Sequence, residues 1–193
     1  MNPLLRPALS VFAALTLLTG LLYPALVTGV AQLAFPDAAN GSIVRRHGAA
    51  VGSSLIGQPF SAPGHFWSRP SATAPMPGNG DASSGSNLGP GNPALVEAVR
   101  SRVAALRAAD PGNTAPVPVD LVTASASGLD PHISAAAARY QGARVARATG
   151  LPVERVRALV DRRTEQPLGG WLGEARVNVL LLNLDVDEAQ GLE

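Results

Sequence analysis

The feature that most constrains this chain is a run from Pro7 to Pro36 without a charged side chain. A helix rises about 1.5 Å per residue, so about 20 apolar residues cross the core of a bilayer. The run is long enough to span a membrane, where Pro24 is tolerated and favours a kink. The alternative is a cleaved signal peptide, because Arg6 gives a positive start and residues 29–31 resemble a small-residue cleavage site. Since the apolar part of a signal peptide has only about 7–15 residues, we predict an uncleaved transmembrane anchor over residues 1–36.

The charges beside this run predict its orientation. Arg6 and the α-amino group favour a cytoplasmic N-terminus under the positive-inside rule, whereas Arg45 and Arg46 favour the opposite. We expect the chain to cross the membrane once from a cytoplasmic N-terminus, which places residues 37–193 outside the cytoplasm.

The composition excludes several classes of site. With no Cys, the chain has no disulfide, thiolate nucleophile or Cys-based metal site. All fifteen basic residues are Arg, so a Walker A lysine is impossible, and a net charge of +1 gives no reason to expect nucleic acid as a partner. The three histidines lie more than ten residues apart and no H-E-x-x-H motif is present, which argues against a metal site.

Capping residues predict three helices after the apolar run. Asn92 caps a helix that begins at Pro93, Ser134 caps a helix over residues 135–149, and Pro152 opens a third. Pro111 is expected to end the first helix, and Gly150 the second. Regularly spaced apolar residues are expected to form the buried faces of the first and third helices. They are Leu95, Val99, Val103 and Leu106 on the first helix and Val153, Val156, Leu159 and Val160 on the third.

Apolar, β-branched stretches predict the strands. Residues 177–185 are predicted to form a central strand, residues 119–125 a second strand and residues 51–57 a weaker one. With the helices, they predict an α+β fold class: a single N-terminal transmembrane helix followed by one soluble α+β domain over residues 37–193.

Residues 71–93 have a different composition from the segments on either side. They are rich in Pro, Gly, Ser and Asn, which is typical of a flexible loop or linker. This segment is expected to separate a small piece, residues 37–70, from the main folded body, residues 93–187. A glycine-rich loop also offers a weak case for phosphate binding.

The stretch from Asp120 to Ser134 contains the residue types of a Ser–His–Asp site. His132 is the candidate base, with Asp120 or Asp130 to orient it. No G-x-S-x-G elbow surrounds a serine here, and Pro131 with the capping Ser134 favours a turn that leads into a helix. An exported hydrolase centred on residues 120–134 therefore stays as the alternative function.

Seven arginines lie between Arg139 and Arg163, against Glu154 and Asp161. They are expected to form a solvated helical face. The alternative is a surface that meets an acidic partner or lipid headgroups.

Five motifs follow one another along the chain: VGSSLIGQPF, HFWSRPSA, SGSNLGPGNPAL, DPHISAAAARYQGARVARATG and GEARVNVLLLNLDVD. Together they resemble the KdpC family, the C subunits of bacterial Kdp potassium-transporting ATPases. The sequence has His65 where the family often has Tyr, and Ser84 where a second glycine is common.

The resemblance implies an accessory subunit of a high-affinity K⁺ importer in the bacterial inner membrane, with no catalytic residues. With the orientation expected from the flanking charges, the soluble domain would be periplasmic. Its partners would be a channel-like K⁺-translocating subunit, a P-type ATPase subunit, a small hydrophobic subunit and membrane lipid. The family is described as assisting assembly and as a catalytic chaperone that raises the ATP affinity of the ATPase subunit. ATP would then be present in the complex, while no cofactor or metal is expected on this chain.

The same resemblance supplies candidate interface or structural residues. They are Gln58, Phe66, Trp67, Arg69, Pro70, Gly85, Ser86, Asn87, Leu88, Gly89, Asp130 and His132. Among them, Phe66, Trp67 and the loop over residues 85–92 are expected to contact the channel-like subunit. That loop would then be ordered by close backbone approach to a partner, in contrast to the flexible linker.

Overall fold

A long apolar helix forms the N-terminal part of the computed structural model, which describes residues 3–191. It consists of α1 (Leu5–Leu17), a π-helical turn (Leu18–Leu22) and α2 (Tyr23–Ala34). None of its residues is buried. Among the described residues, this is the one helix that is long and apolar enough to cross a membrane.

The π-helical turn ends at Leu22, two residues before Pro24. Proline has no N–H to donate, and its ring would meet the carbonyl four residues earlier, which is that of Gly20. A locally widened turn relieves this conflict, and π-helix occurs mostly as such single turns inside α-helices. The proline is thereby accommodated within a helix that runs from Leu5 to Ala34.

A short helix and a two-stranded sheet follow, and the first of two compact units ends at Val51, within the second strand. They are α3 (Pro36–Ala39), β1 (Ile43–Arg46) and β2 (Ala49–Ser53). The turn between the strands consists of His47 and Gly48, both with positive φ. The predicted strand over residues 51–57 is wrong beyond Ser53, where a turn begins, so only its first residues belong to β2.

The second unit begins at Gly52. Its elements are α4 (Pro93–Ala109), a 3₁₀ turn (Val119–Leu121), β3 (His132–Ser134), α5 (Ala135–Thr149), α6 (Val153–Arg163), β4 (Thr164–Glu165), β5 (Arg176–Asn178) and α7 (Val179–Ala189). The strands form an antiparallel sheet in the order β3–β5–β4, in which Val177 pairs with Ile133 on one side and Thr164 on the other. The apolar helix and this mixed unit confirm the predicted fold class.

The three predicted helices are confirmed, and their caps form as expected. Asn92 Oδ1 accepts from the Ala94 N–H at 2.9 Å, and Ser134 Oγ accepts from the Ala137 N–H at 3.0 Å. Gly150 adopts a left-handed conformation with φ of 73°. One face position is wrong: Val153 is 38% exposed because it opens α6, ahead of the turn that packs inward.

The predicted strand over residues 177–185 is wrong. Only Arg176–Asn178 is extended, and α7 begins at the next residue. Asn178 decides this, because its side chain accepts from the Leu181 N–H at 3.2 Å and so caps the helix. The apolar run then continues with helical spacing, which buries Val179, Leu182 and Val186 on one side.

The predicted strand over residues 119–125 is also wrong. Residues Val119–Leu121 form a single 3₁₀ turn that buries Leu121 and Val122. A short apolar segment can bury its side chains without pairing in a sheet, so the pattern alone did not separate the two structures.

The core of the second unit lies among the helices α5, α6 and α7 and the three-stranded sheet. Its fully buried side chains include Phe66, Ile133, Val145, Val156, Val160, Val177, Leu182 and Val186. Phe66 precedes the segment 71–93, yet it belongs to the same core as the helices that follow. The segment is therefore not a boundary between a small N-terminal piece and a main body.

Candidate functional site

Two buried amide side chains fix the backbone at Phe66 and Trp67. Asn183 accepts from the Phe66 N–H at 2.7 Å and donates to its carbonyl at 3.0 Å. Gln141 accepts from the Trp67 N–H at 2.8 Å and donates to its carbonyl at 3.1 Å. Each amide thus pairs with one residue as a neighbouring strand would, although it comes from a helix.

Arg144 reinforces this arrangement from α5. Its guanidinium donates to the carbonyls of Pro63 at 2.5 Å and His65 at 3.0 Å, and to Gln141 Oε1 at 2.7 Å. It also lies 4.7 Å from the centre of the Trp67 ring, within the range of a cation–π contact. Burial lowers the pKa of Arg144 to about 10, so the group stays charged at neutral pH.

A cleft of about 310 Å³ opens beside this backbone segment. Its apolar walls include Phe60, Trp67, Leu106 and Leu121, and prolines at positions 59, 70 and 77 line it as well. Arg69, Arg102 and Asp130 supply its charged groups. The cleft therefore combines an apolar interior with a few convergent polar side chains, as ligand and peptide pockets do.

Arg69 and Asp130 form an ion pair in the cleft, with 3.0 Å between Nη1 and Oδ2. Burial raises the pKa of Asp130, but hydrogen bonds from His132 and the charge and hydrogen bond of Arg69 outweigh it, so the net pKa is lowered. The second carboxylate oxygen accepts from the His132 N–H at 3.0 Å. Asp130 is thus an ionised acceptor whose two oxygens are both engaged.

Arg102 reaches the cleft from α4. Its Nη1 donates to the Val122 carbonyl at 2.8 Å, and no carboxylate among residues 3–191 lies within ion-pair distance of it. Burial lowers its pKa. Among the described residues that line the cleft, there are therefore two guanidinium groups and one carboxylate.

Three glycines let the loops below the cleft pack closely. A Cβ at Gly57 would lie 2.5 Å from the Asp130 carbonyl oxygen, and one at Gly78 would lie 2.5 Å from that of Gly57. A Cβ at Gly128 would lie 2.6 Å from the Ser84 carbonyl oxygen, and this residue also has a φ of 68°. Such contacts require residues without a side chain, so the shape of the cleft is built into the fold.

The polar groups between Asp120 and Ser134 serve the local backbone. The Asp120 carboxylate accepts from the Ser134 N–H at 2.7 Å, and Ser125 Oγ accepts from the Gly128 N–H at 2.9 Å. His132 Nδ1 lies 3.4 Å from Asp130, and within residues 3–191 it has no hydrogen bond to a serine hydroxyl. These contacts agree with the turn that the sequence favours. Across the same residues, no group of three His, Asp or Glu side chains has the arrangement of a metal site.

A sequence model of the family KdpC, described as the c chain of K⁺-transporting ATPases, matches residues 5–188. The chain belongs to the KdpC family. Proteins named potassium-transporting ATPase KdpC subunit from Polaromonas naphthalenivorans and Variovorax paradoxus are 68% and 67% identical to it over 187 residues. The alignments cover 97% of this chain and 95% and 97% of those relatives. A third, from Janthinobacterium sp., is 61% identical over 97% of this chain and its own full length.

Membership in KdpC makes the chain a subunit of a K⁺-transporting ATPase. With the apolar N-terminal helix, it also makes the protein membrane-associated. The resemblance predicted from the five motifs is confirmed over nearly the whole chain.

The residues of the first two KdpC motifs differ in their surroundings. Phe66 has no exposed surface, so the expectation that it contacts a partner is wrong, and its ring belongs to the core. Trp67 is half-buried, and its Nε1 donates to the Ala62 carbonyl at 3.1 Å. Gln58, Trp67, Arg69 and Pro70 all line the cleft, together with Asp130 from the fourth motif.

The glycine-rich KdpC motif forms an exposed loop. Ser86, Asn87 and Gly89 are exposed, Leu88 is half-buried, and Asn87 has a φ of 51°. Gly85 anchors the loop, because a Cβ there would lie 2.7 Å from the Ala126 carbonyl oxygen. The preceding Ser84 N–H also donates to the Ser127 carbonyl at 2.9 Å. The loop is thus attached to the turn before His132 at its first residues.

The arginines between Arg139 and Arg163 are mostly paired within this KdpC chain. Arg144 is buried, and the five pairs are Arg139–Asp161, Arg147–Asp110, Arg157–Glu154, Arg162–Asp185 and Arg163–Asp185. This pairing supports the solvated helical face over a free cationic surface.

Sequence patterns do not predict the role of four residues that support or line the cleft: Arg102, Gln141, Arg144 and Asn183. A weak signal existed for the last three, because each is a polar residue on an otherwise apolar helix face. Their partners lie 74 to 117 residues away, so no local pattern could name them.

Proposed function

We propose that this chain is a non-catalytic subunit that stabilises the assembled, ATP-driven K⁺ importer, with its second unit in the periplasm. The observation that carries the proposal is the cleft, where side chains of the first two family motifs surround an open recess. A half-buried Trp, apolar walls and incompletely paired arginines are typical of surfaces that bind another protein.

The hydrogen bonds of residues 120–134 support an accessory role over the hydrolase alternative. Asp120, Asp130 and Ser125 each accept a hydrogen bond from a backbone N–H within residues 120–134. The chemistry of a Ser–His–Asp site needs the histidine within hydrogen-bond reach of the nucleophile.

The proposed partners are a channel-like K⁺-translocating subunit, a P-type ATPase subunit and a small hydrophobic subunit, with lipid around the N-terminal helix. The second unit rests on the outer face of the channel-like subunit, and the exposed loop over residues 85–92 contributes to that contact. The bacterial inner membrane, with the N-terminus in the cytoplasm, is the proposed location.

Any effect on ATP affinity is then indirect. ATP is cytoplasmic, so a periplasmic unit biases the conformational equilibrium of its partners without touching the nucleotide. This coupling is our proposed basis for a chaperone role toward the ATPase subunit.

Two measurements test the proposal. Reporter fusions to the C-terminus should be active only for a periplasmic enzyme reporter, and activity only of a cytoplasmic reporter would contradict the orientation. Purification through a tag on the channel-like subunit should recover the ATPase subunit in lower yield when this chain is deleted. The remaining complex should show a higher KM for ATP, and an unchanged yield with an unchanged KM would overturn the proposed role.

A further inference from the structure

The cleft beside Trp67 has more hydrogen-bond donors than its own residues can satisfy. Arg69 Nε is buried and has no hydrogen-bond partner among the described residues. Arg102 uses one nitrogen for the Val122 carbonyl and has no carboxylate partner within the described chain. A guanidinium has five N–H donors and no acceptor, so any group that completes these two must bring oxygen acceptors.

The other polar groups of the cleft are already engaged. Ser68 Oγ donates to the Gln58 carbonyl at 2.7 Å, and Ser71 Oγ donates to the Gly128 carbonyl at 2.7 Å. Asp130, the one carboxylate in the described lining, is paired with Arg69. What the lining leaves unmatched is therefore positive charge and N–H donors, which is complementary to a carboxylate.

The remaining lining favours an apolar neighbour for that carboxylate. Phe60, Leu106 and Leu121 give the walls little capacity for hydrogen bonding. The volume of about 310 Å³ is at the lower end of the range of about 300–1,000 Å³ for ligand pockets, so it suits one or two side chains. The floor is preformed by the close glycine contacts, which lowers the entropic cost of binding.

We propose that this cleft binds an acidic peptide segment of a partner subunit, in which an Asp or Glu carboxylate meets Arg102 and Arg69 and an adjacent apolar side chain packs between Phe60 and Trp67. The inference rests on the proposed function as an assembly subunit. Subunits held in one membrane meet at a high effective concentration, so a small contact of this kind is sufficient to contribute to assembly.

Photo-cross-linking in the intact complex tests the occupant directly. p-Benzoylphenylalanine replaces Pro59, an exposed residue of the cleft that donates no backbone hydrogen bond. After irradiation of membranes, mass spectrometry should identify a peptide of another subunit with Asp or Glu beside an apolar residue. Cross-links only to lipid, or none to protein in an intact complex, would overturn the proposal.

Two variants examine the charge requirement. Arg102→Gln keeps a donor for the Val122 carbonyl but removes the positive charge, and it should lower the cross-link yield at least about tenfold, as expected for a lost charged hydrogen bond. Ala105→Glu adds a carboxylate on the same face of α4 without removing packing, and it should lower the yield by competing for Arg102. Arg100→Gln, on an exposed position of the same helix, is the matched control and should leave the yield unchanged. Equal yields in all three variants would contradict the proposal, and thermal unfolding of each full-length variant identifies any that is misfolded.

A free small carboxylate is the competing occupant, and 3-phenylpropionate is the probe for it. Saturable, Arg102-dependent binding of this compound to the purified complex, without a protein cross-link, would assign the cleft to a small molecule and overturn the peptide proposal. If the wild-type chain fails to co-purify with other subunits, the proposed function fails instead. The cleft proposal alone fails when assembly is normal and the cross-link is absent.

Discussion

Asn183 holds both polar groups of the Phe66 peptide backbone, with a 2.7 Å hydrogen bond from the N–H and a 3.0 Å hydrogen bond to the carbonyl oxygen. The two residues are 117 positions apart in the sequence. The side chain of Phe66 lies in the hydrophobic core. This pairing makes α7 the support of the backbone segment that leads into the cleft.

Asn183→Ala should lower the free energy of unfolding by about 2–4 kcal/mol, because it leaves a buried N–H and a buried carbonyl without partners. Urea unfolding of the full-length protein in detergent measures the change. Gln190→Ala is the control. Gln190 lies at the C-terminal end of α7 and donates one long hydrogen bond of 3.4 Å to the Val186 carbonyl, so this substitution should lower the free energy of unfolding by less than about 0.5 kcal/mol. Equal effects of the two substitutions would contradict the role given to Asn183.

Arg144→Lys should destabilise the protein by about 1–3 kcal/mol, because an ammonium cannot reproduce the planar fork that reaches two carbonyls and Gln141. It should also change the fluorescence of Trp67, whose ring Arg144 covers. Arg157→Lys, at an exposed ion pair, is the matched control and should alter neither measurement. A lysine variant with unchanged fluorescence and stability would show that the fork geometry is unimportant.

Asp185 should make stability depend on pH in the acid range. Burial raises its pKa, but hydrogen bonds from Arg163 and Arg162 and their charges outweigh this, so the folded-state pKa lies below the ordinary 3.8. The contribution of the carboxylate is therefore fully present above about pH 4 and is lost as the pH falls through the folded-state pKa. Unfolding of the wild type should become easier as the pH falls from about 4 to about 2.5.

Asp185→Asn should reduce that acid sensitivity and lower stability at pH 7 toward the value of the wild type in acid. Asp161→Asn removes an exposed carboxylate and should retain the wild-type profile. The assignment to Asp185 is wrong if both variants follow the same pH profile.

Gly57→Ala should destabilise the protein by about 2–4 kcal/mol, because its Cβ would lie 2.5 Å from the backbone oxygen of Asp130, which cannot move alone. Gly91→Ala is the control, since nothing lies within 4 Å of a Cβ there. Thermal unfolding compares the two. A change confined to Gly91→Ala, or absent from both, would refute the close packing below the cleft.

His132→Ala distinguishes a structural turn from a hydrolytic site. Potassium transport per assembled complex should stay within about twofold of wild type, because His132 makes no hydrogen bond to a serine within the described residues. Asp120→Ala should instead lower the yield of folded protein, since the Asp120 carboxylate holds the Ser134 backbone. A loss of a hydrolytic activity with assembly intact would support the enzyme.

Local patterns predicted the apolar helix, the three capped helices and the turn before Ser134, because their determinants lie within a few residues of one another. The prediction of a strand over residues 177–185 is wrong because the side chain of Asn178 caps α7, and the apolar residues after it fit a helix as well as a strand. The side chain of Phe66 is buried by helices that follow it by many residues, so a short stretch of sequence around Phe66 does not predict its burial.

The cleft shows the same division. Its motif residues Gln58, Trp67, Arg69 and Pro70 were identified by resemblance, but their convergence with Arg102 depends on how α4 packs. No local sequence pattern associates the motif residues with Arg102, because the loop between Pro70 and α4 has more than twenty residues.

The sheet and its helices share their boundary residues. Ser134 is both the last residue of β3 and the cap of α5, and Asn178 is both the last residue of β5 and the cap of α7. A shift of the strand pairing by one position would turn the inward side chains of β5 outward and also displace both helix starts. Neither strand can slide without unwinding a helix, so a force applied to the sheet moves it together with α5 and α7 as one block.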